Sequence, residues 1–320
     1  MQTLFVVLAI ILLAALLLWF VFPATASSLI INSGIRALGL RQHRAQIGDT
    51  QFRWLESSAK GPALVMVHGL NGDASNWIMM APQLRAYRLI IPDMPPFGES
   101  RITSNGEADY SMHTQAERLD ALMLHLGVDK FYLAGNSMGG YITGDYASNH
   151  ADKILGLLLL SPGAVKSVSF ASYFDADLEA GLNPLRVENP EGMERLMELC
   201  FSKQPFVPAP LKKMAYKRML SINKECDMIF HNMLYENPGI EVMLADSPIP
   251  TLIYWGKEDK VLNPEGGPAL QEVMQNAELI MPEKTGHVPM LEYPKVTGKA
   301  MAAFISKQEA KLHSETKNRN

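Results

Sequence analysis

The chain has 320 residues, of which 48% are hydrophobic and 19% charged, with a formal net charge of −4. That size suits one well-buried core carrying an inserted subdomain. No basic run or aromatic-interleaved patch offers a nucleic-acid surface. No Cys/His metal spacing, phosphate-binding loop or dinucleotide fingerprint calls for a metal or cofactor.

The N-terminus opens on an apolar run. Residues 4–22 contain no polar or charged side chain, and at helical rise they span about 28 Å, close to one bilayer core. Trp19, Phe20 and Phe22 gather at one end, where aromatic rings favour the membrane interface. The expectation is an uncleaved transmembrane helix within residues 1–25. The rival is a signal peptide cleaved near Ala26, because Ala24-Thr25-Ala26 has the small-x-small form of a cleavage site. Against it, the run exceeds a usual signal core and no Lys or Arg precedes it. Arg36, Arg41 and Arg44 follow the run, which by the positive-inside rule puts the rest of the chain in the cytoplasm; cleavage would instead send it to the periplasm or outside. Residues 26–45 read as a connector.

Beyond it, strand and helix patterns alternate, which implies an α/β fold with a mostly parallel sheet. Residues 63–67 form an apolar strand that runs into His68-Gly69-Leu70-Asn71-Gly72. Asp93, after Ile91-Pro92, is expected to end its strand by accepting nearby backbone N–H groups. Ser111 caps an amphipathic helix with Met112, Ala116, Leu119, Leu122, Met123 and Leu126 on one face. Next comes the apolar run 131–134, then Gly135-Asn136-Ser137-Met138-Gly139, then a helix over 140–149. Residues 154–160 are continuously apolar, as in a strand covered on both faces.

From 165 to 246 the rhythm stops. This Met-, Phe- and Pro-rich stretch, with helical patterns over 193–201 and 211–220, reads as a cap inserted before the next strand. Cys200 and Cys226, the chain's 2 cysteines, both fall in it; they read as buried free thiols, or as a bridge if the domain faces an oxidising space. The strand 251–255 leads into Gly256-Lys257-Glu258-Asp259, and the strand 278–281 into Thr285-Gly286-His287. A helix from Pro294 packs through Ala302, Phe304 and Ile305, and residues 311–320 read as a frayed polar tail. The core thus comprises residues 46–164 and 247–310, and the cap residues 165–246.

The chemistry concentrates at strand ends. A G-x-S-x-G segment between a strand and a helix is the setting of a nucleophile elbow, where a tight turn exposes the serine and glycines relieve the crowding. The bland alternative is a glycine-rich turn with a capping serine. A serine hydroxyl is a poor nucleophile at neutral pH and needs a base and a group that orients the base. His287 and Asp259 follow in the order acid, then His, each just past a strand's carboxyl end. Glu258 is a neighbouring carboxylate that could serve in place of Asp259. Backbone N–H groups of Met138 and Leu70 are the candidate oxyanion donors, and loss of one such donor costs roughly 3–4 kcal/mol. On this reading His68 shapes its loop and takes no protons.

His68-Gly69, Asp93, Gly135–Gly139, Trp255-Gly256-Lys257-Glu258-Asp259 and Gly286-His287 together resemble the α/β-hydrolase superfamily from about residue 50 to 310. Within it, the apolar N-terminus, Asn189-Pro190-Glu191-Gly192-Met193 and Gly286-His287-Val288-Pro289-Met290-Leu291-Glu292-Tyr293-Pro294 are similar to the membrane-anchored monoacylglycerol lipase branch and related bacterial lipases. Pro95-Pro96-Phe97-Gly98 departs from the usual Pro-Gly-x-Gly. The resemblance implies an α/β-hydrolase fold with helices on both faces of the sheet and an inserted helical cap. It implies a serine ester hydrolase with catalytic Ser137, Asp259 and His287, acting on monoacylglycerol or similar medium-to-long acyl esters beside a membrane bilayer, with no cofactor and no metal. One alternative is a carbon–carbon bond hydrolase of aromatic ring cleavage, although Val288 stands where such relatives carry tryptophan. Another is a non-catalytic membrane-tethered binding protein on the same fold. Acyl length, alcohol portion and oligomeric state are not legible.

Overall fold

The computed structural model describes residues 32–104, 106, 108–169 and 174–319. The apolar run expected to be an anchor lies outside them. Among the described residues, no helix is long and apolar enough to cross a membrane.

Among the described residues, the centre is a sheet of nine strands: β1 (Leu40–Ile47), β2 (Thr50–Ser57), β3 (Ala63–Val67), β4 (Arg88–Pro92), β5 (Arg101–Ile102), β6 (Phe131–Ser137), β7 (Ile154–Pro162), β8 (Thr251–Tyr254) and β9 (Ala277–Ile280). Their order is β1-β2-β4-β3-β6-β7-β8-β9, with β5 beside β2. From β4 to β9 every pairing is parallel, while β1 and β2 are antiparallel to their neighbours. A strand order that begins in the middle and winds outward needs helical crossovers on both faces.

Continuous apolar strands supply both faces, because neighbouring side chains point to opposite sides. Val65, Val67, Leu133, Leu157, Leu159 and Ile253 pack on one side with α1 (Met112–His125), α2 (Met138–Asn149) and α6 (Gly266–Val273). Leu64, Met66, Tyr132, Leu158, Leu160 and Tyr254 pack on the other with Trp77 and Met80 of a 3₁₀ segment, Ala74–Met80, and with Met301, Phe304 and Ile305 of α7 (Pro294–Arg319). Each layer is closed by fully buried side chains, and each fully buried Leu, Ile or Val contributes about 1.5–3 kcal/mol relative to exposure.

Between β7 and β8 the described residues hold no strand. They form α3 (Pro190–Cys200), α4 (Ala209–Ser221), α5 (Asn223–His231) and shorter turns. Asn189 caps α3 by accepting the Gly192 N–H at 2.7 Å, with Pro190 in the first turn. This is the helical insertion expected from the loss of the α/β rhythm, with α5 as a helix the sequence reading did not separate.

Two boundaries differ from expectation. The sheet starts at Leu40, inside the stretch read as a connector; β1 is an edge strand whose mostly polar sequence, Arg41 to Gln46, conceals its pairing with β2. The polar tail is also helical, since α7 continues to Arg319. Lys, Glu and Gln are good helix formers, and links such as Lys307 to Glu278 at 2.6 Å and Tyr132 to Glu309 at 2.6 Å tie the helix to the sheet.

Candidate active site

Ser137 ends β6, and α2 begins at the next residue. Its backbone lies at φ 55°, ψ −120°, a left-handed position for a non-glycine residue, which costs about 1–3 kcal/mol and persists only where the surroundings over-determine it. The surroundings do. A Cβ on Gly135 would fall 2.2 Å from the Gly139 carbonyl oxygen, and one on Gly139 would fall 2.3 Å from that of Val67. Both glycines are therefore required by close backbone approach. The Ser137 side chain caps none of the α2 N–H groups, so the capping reading of this serine does not hold.

His287 and Asp259 meet in the interior. His287 Nδ1 lies 2.8 Å from Asp259 Oδ2, with side chains 5% and 0% exposed. A carboxylate only accepts, so Nδ1 carries the proton and Nε2 is left as the basic nitrogen. Asp259 Oδ1 is held by the N–H groups of Val261 and Leu262, both at 2.9 Å. Glu258 points elsewhere: its carboxylate accepts from the Ser202 hydroxyl. Between the two neighbouring carboxylates, Asp259 is the one paired with His287.

The strand ends are stitched together by Asn136, the residue before Ser137 in the elbow. Its side-chain amide donates to Leu160 O at 2.9 Å and to His287 O at 3.1 Å. This joins the serine turn to the histidine loop, a link the sequence reading missed.

The loop after β3 comes against the elbow, since a Cβ on Gly69 would lie 3.1 Å from Ser137 Cβ. The Gly72 N–H closes a turn onto Gly69 O at 3.0 Å, and Asn71 sits at φ 60°. Among the described residues, the Leu70 N–H has no backbone acceptor, and the Met138 N–H, at the first position of α2, has no intrahelical one. His68 is fully buried; Nδ1–H donates to Gly69 O at 2.8 Å and Nε2 accepts the Met94 N–H at 2.9 Å. Burial pushes its pKa down. Both ring nitrogens are occupied, so His68 holds the loop in its neutral form.

Asp93 does not join the His287 pair. It accepts the N–H groups of Ala74 at 2.8 Å and Glu99 at 2.7 Å and pairs with Arg53 at 3.2 Å. Burial raises its pKa, with Arg53 opposing. This is the strand-ending role expected of it.

The cap fastens to each of these loops. The His287 N–H donates to Cys200 O at 2.9 Å. Glu292 accepts from the Gly286 N–H and the Lys203 N–H, both at 2.7 Å, and so spans the histidine loop and the cap. Cys226 donates to Asn71 Oδ1 at 3.2 Å, and Arg218 to Asp73 at 2.6 Å. Cys200 and Cys226 are free thiols whose pKa values burial pushes up to about 12, which leaves them protonated and unreactive at neutral pH. Among the partners in these contacts, Lys203, Arg218 and Asp73 carry no sequence signal. Among the described residues, no group of three His, Cys, Asp or Glu side chains converges to hold a metal ion.

Residues 62–294 match the alpha/beta hydrolase fold family. The chain is 32% identical over 267 residues to Lipase 1 of Psychrobacter immobilis, covering 82% of this chain and 83% of that one. It is 26% identical over 301 residues to the monoacylglycerol lipase ABHD6 of Bos taurus, covering 87% and 85%. The crystal structure of a bacterial membrane phospholipase A superposes with a TM-score of 0.84 at 31% identity, covering 97% of this chain and 99% of that one. With its sheet order, its elbow and these likenesses, the chain belongs to the α/β-hydrolase fold family and resembles its monoacylglycerol lipases and bacterial lipases.

Proposed function

We propose that this esterase or lipase cleaves monoacylglycerol or similar medium-to-long acyl esters at a membrane, through an acyl-enzyme on Ser137. The observation that carries the reading is the buried His287–Asp259 pair at 2.8 Å, set at strand ends beside a serine elbow held in a strained backbone by close-packed glycines. Nδ1 is committed to Asp259, so Nε2 accepts the Ser137 proton as the hydroxyl oxygen attacks the ester carbonyl. The tetrahedral oxyanion takes hydrogen bonds from the Leu70 and Met138 N–H groups. Collapse breaks the ester C–O bond, and His287 returns the proton to the departing alcohol. Water then enters, gives its proton to His287 and attacks the acyl-enzyme, releasing the acid and restoring Ser137. Asp259 keeps the histidine tautomer and stabilises its charged form.

Lipid esters are favoured because the relatives are lipases and because residues 4–22 can anchor the enzyme where such esters partition. Ser137 is only 9% exposed, so an ester must enter the fold to reach it. A fluorophosphonate probe should label Ser137, and Ser137→Ala should abolish labelling and ester turnover together. Labelling elsewhere with Ser137 untouched would overturn the assignment, and a wholly unreactive protein would favour a binding role.

A further inference from the structure

The backbone of His287 is held from two sides. Its carbonyl accepts from the Asn136 amide at 3.1 Å, and its N–H donates to Cys200 O at 2.9 Å. The first partner belongs to the serine turn. The second begins a strap, Cys200-Phe201-Ser202-Lys203, that leaves the end of α3 in the cap. The strap lies directly on the histidine loop, since a Cβ on Gly286 would fall 2.7 Å from Cys200 O and 2.8 Å from Ser202 N. The core thus anchors the carbonyl side of the histidine, and the cap anchors its N–H side.

Glu292 clamps the two together. It ends a short helical turn, Pro289–Glu292, that follows the histidine. One of its carboxylate oxygens takes the Gly286 N–H and the other takes the Lys203 N–H, both at 2.7 Å. An ionised carboxylate accepts at both oxygens, whereas a glutamine would present its own N–H₂ to one of the two donors. Hydrogen bonds to an ionised acceptor are also roughly twice as strong as neutral ones. The other side-chain link of the strap, the Ser202 hydroxyl to Glu258, makes no such demand. An uncharged amide oxygen would accept from a hydroxyl equally well.

We infer that Glu292 is a positioning residue for the catalytic base: by clamping the strap Cys200–Lys203 onto Gly286, it fixes where the His287 ring stands relative to Ser137. The inference rests on the serine hydrolase reading, in which Nε2 takes the Ser137 proton. Asp259 sets the tautomer and holds Nδ1 at 2.8 Å. A ring held at one nitrogen still swings about that bond, and the backbone at the other end of the side chain determines where Nε2 comes to rest. The cap therefore completes the base as well as covering the site. A purely structural Glu292 would instead stabilise the loop and leave the chemistry alone.

The test uses the full chain with a water-soluble short-chain nitrophenyl ester. Glu292→Gln should lower kcat about 10- to 100-fold, the scale set by displacing a reacting group by up to about 1 Å. KM should stay within about twofold, because no substrate contact is lost. The rate at which a fluorophosphonate labels Ser137 should fall with kcat, since it needs the same base. Lys203→Pro removes the same bond from the other side, because proline has no N–H. It should lower kcat in the same direction, and the double variant should lose no more than Glu292→Gln alone. Amide exchange at Lys203, Gly286 and His287 should speed up in each variant. If Lys203→Pro fails to fold, the kcat and KM of Glu292→Gln decide alone. A lower urea midpoint with unchanged kcat, a rise in KM at constant kcat, or losses that multiply in the double variant would each overturn the proposal. A wild-type protein with neither turnover nor labelling would sink the hydrolase reading instead. Exchange would then still decide the clamp, and unchanged exchange in Glu292→Gln would refute it.

Discussion

Arg218, in the cap, donates to the carboxylate of Asp73 at 2.6 Å, and Asp73 directly follows the His68–Gly72 loop that carries the Leu70 N–H. Burial opposes ionisation of Asp73, but Arg218 and the Ser75 N–H outweigh it and hold the carboxyl below its ordinary range. The cap is thus electrostatically tied to the loop expected to receive the oxyanion. Arg218→Met keeps the packing of the stem and removes the tie. It should speed amide exchange across residues 209–231 and lower kcat about tenfold, or ~1.4 kcal/mol of barrier. Faster exchange with unchanged kcat would mean that the pair fastens the cap without shaping the loop.

The carboxylates can be separated by substitution. Asp259→Asn should leave the fold intact and lower turnover by orders of magnitude, about 10⁴ by the serine-protease precedent, because the amide favours the wrong histidine tautomer. Glu258→Gln should have little effect, since Glu258 contacts Ser202 and not His287. Asp93→Asn should act on stability, by about 1–3 kcal/mol for a buried acceptor lost to the Ala74 and Glu99 N–H groups or Arg53. Urea unfolding beside kcat/KM distinguishes these outcomes. Near-normal rates in Asp259→Asn with loss in Glu258→Gln would reverse the assignment.

The N-terminal segment makes a biochemical prediction. As an uncleaved anchor, residues 4–22 should keep the mature protein in the membrane fraction through high salt and alkaline carbonate, with its N-terminus near Met1. A mature chain beginning at Ser27 would identify a signal peptide and move the enzyme across the membrane.

Substrate length is the remaining variable. Apolar burial adds roughly 0.8 kcal/mol per methylene, so kcat/KM should climb with acyl length until the pocket is full. A chain-length series on glycerol and nitrophenyl esters should peak well beyond acetate, with monoacylglycerols turned over faster than triacylglycerols. Best activity on acetate would identify a small-ester hydrolase, and activity confined to vinylogous diketones a carbon–carbon hydrolase.

The parts of this protein legible in its sequence are those governed by local sterics and periodicity. Gly135 and Gly139 flank Ser137 because no Cβ fits there, so their spacing announces the turn before any coordinates exist. The apolar strands β3, β6 and β7 read as buried on both faces because every position but Leu155 is buried. Other features depend on partners distant in sequence, and only the tertiary structure decided them. Asp259 and Glu258 are adjacent and chemically alike, and the direction each side chain leaves the loop determines which one meets His287. The edge strand β1 is polar because it is covered on one side only, so its alternation gives a weak signal. The links of Asn136 to His287, Glu292 to Lys203 and Arg218 to Asp73 span 151, 89 and 145 residues. Hydrogen bonds of that separation form only after the sheet has brought the strand ends together, and no local pattern encodes them.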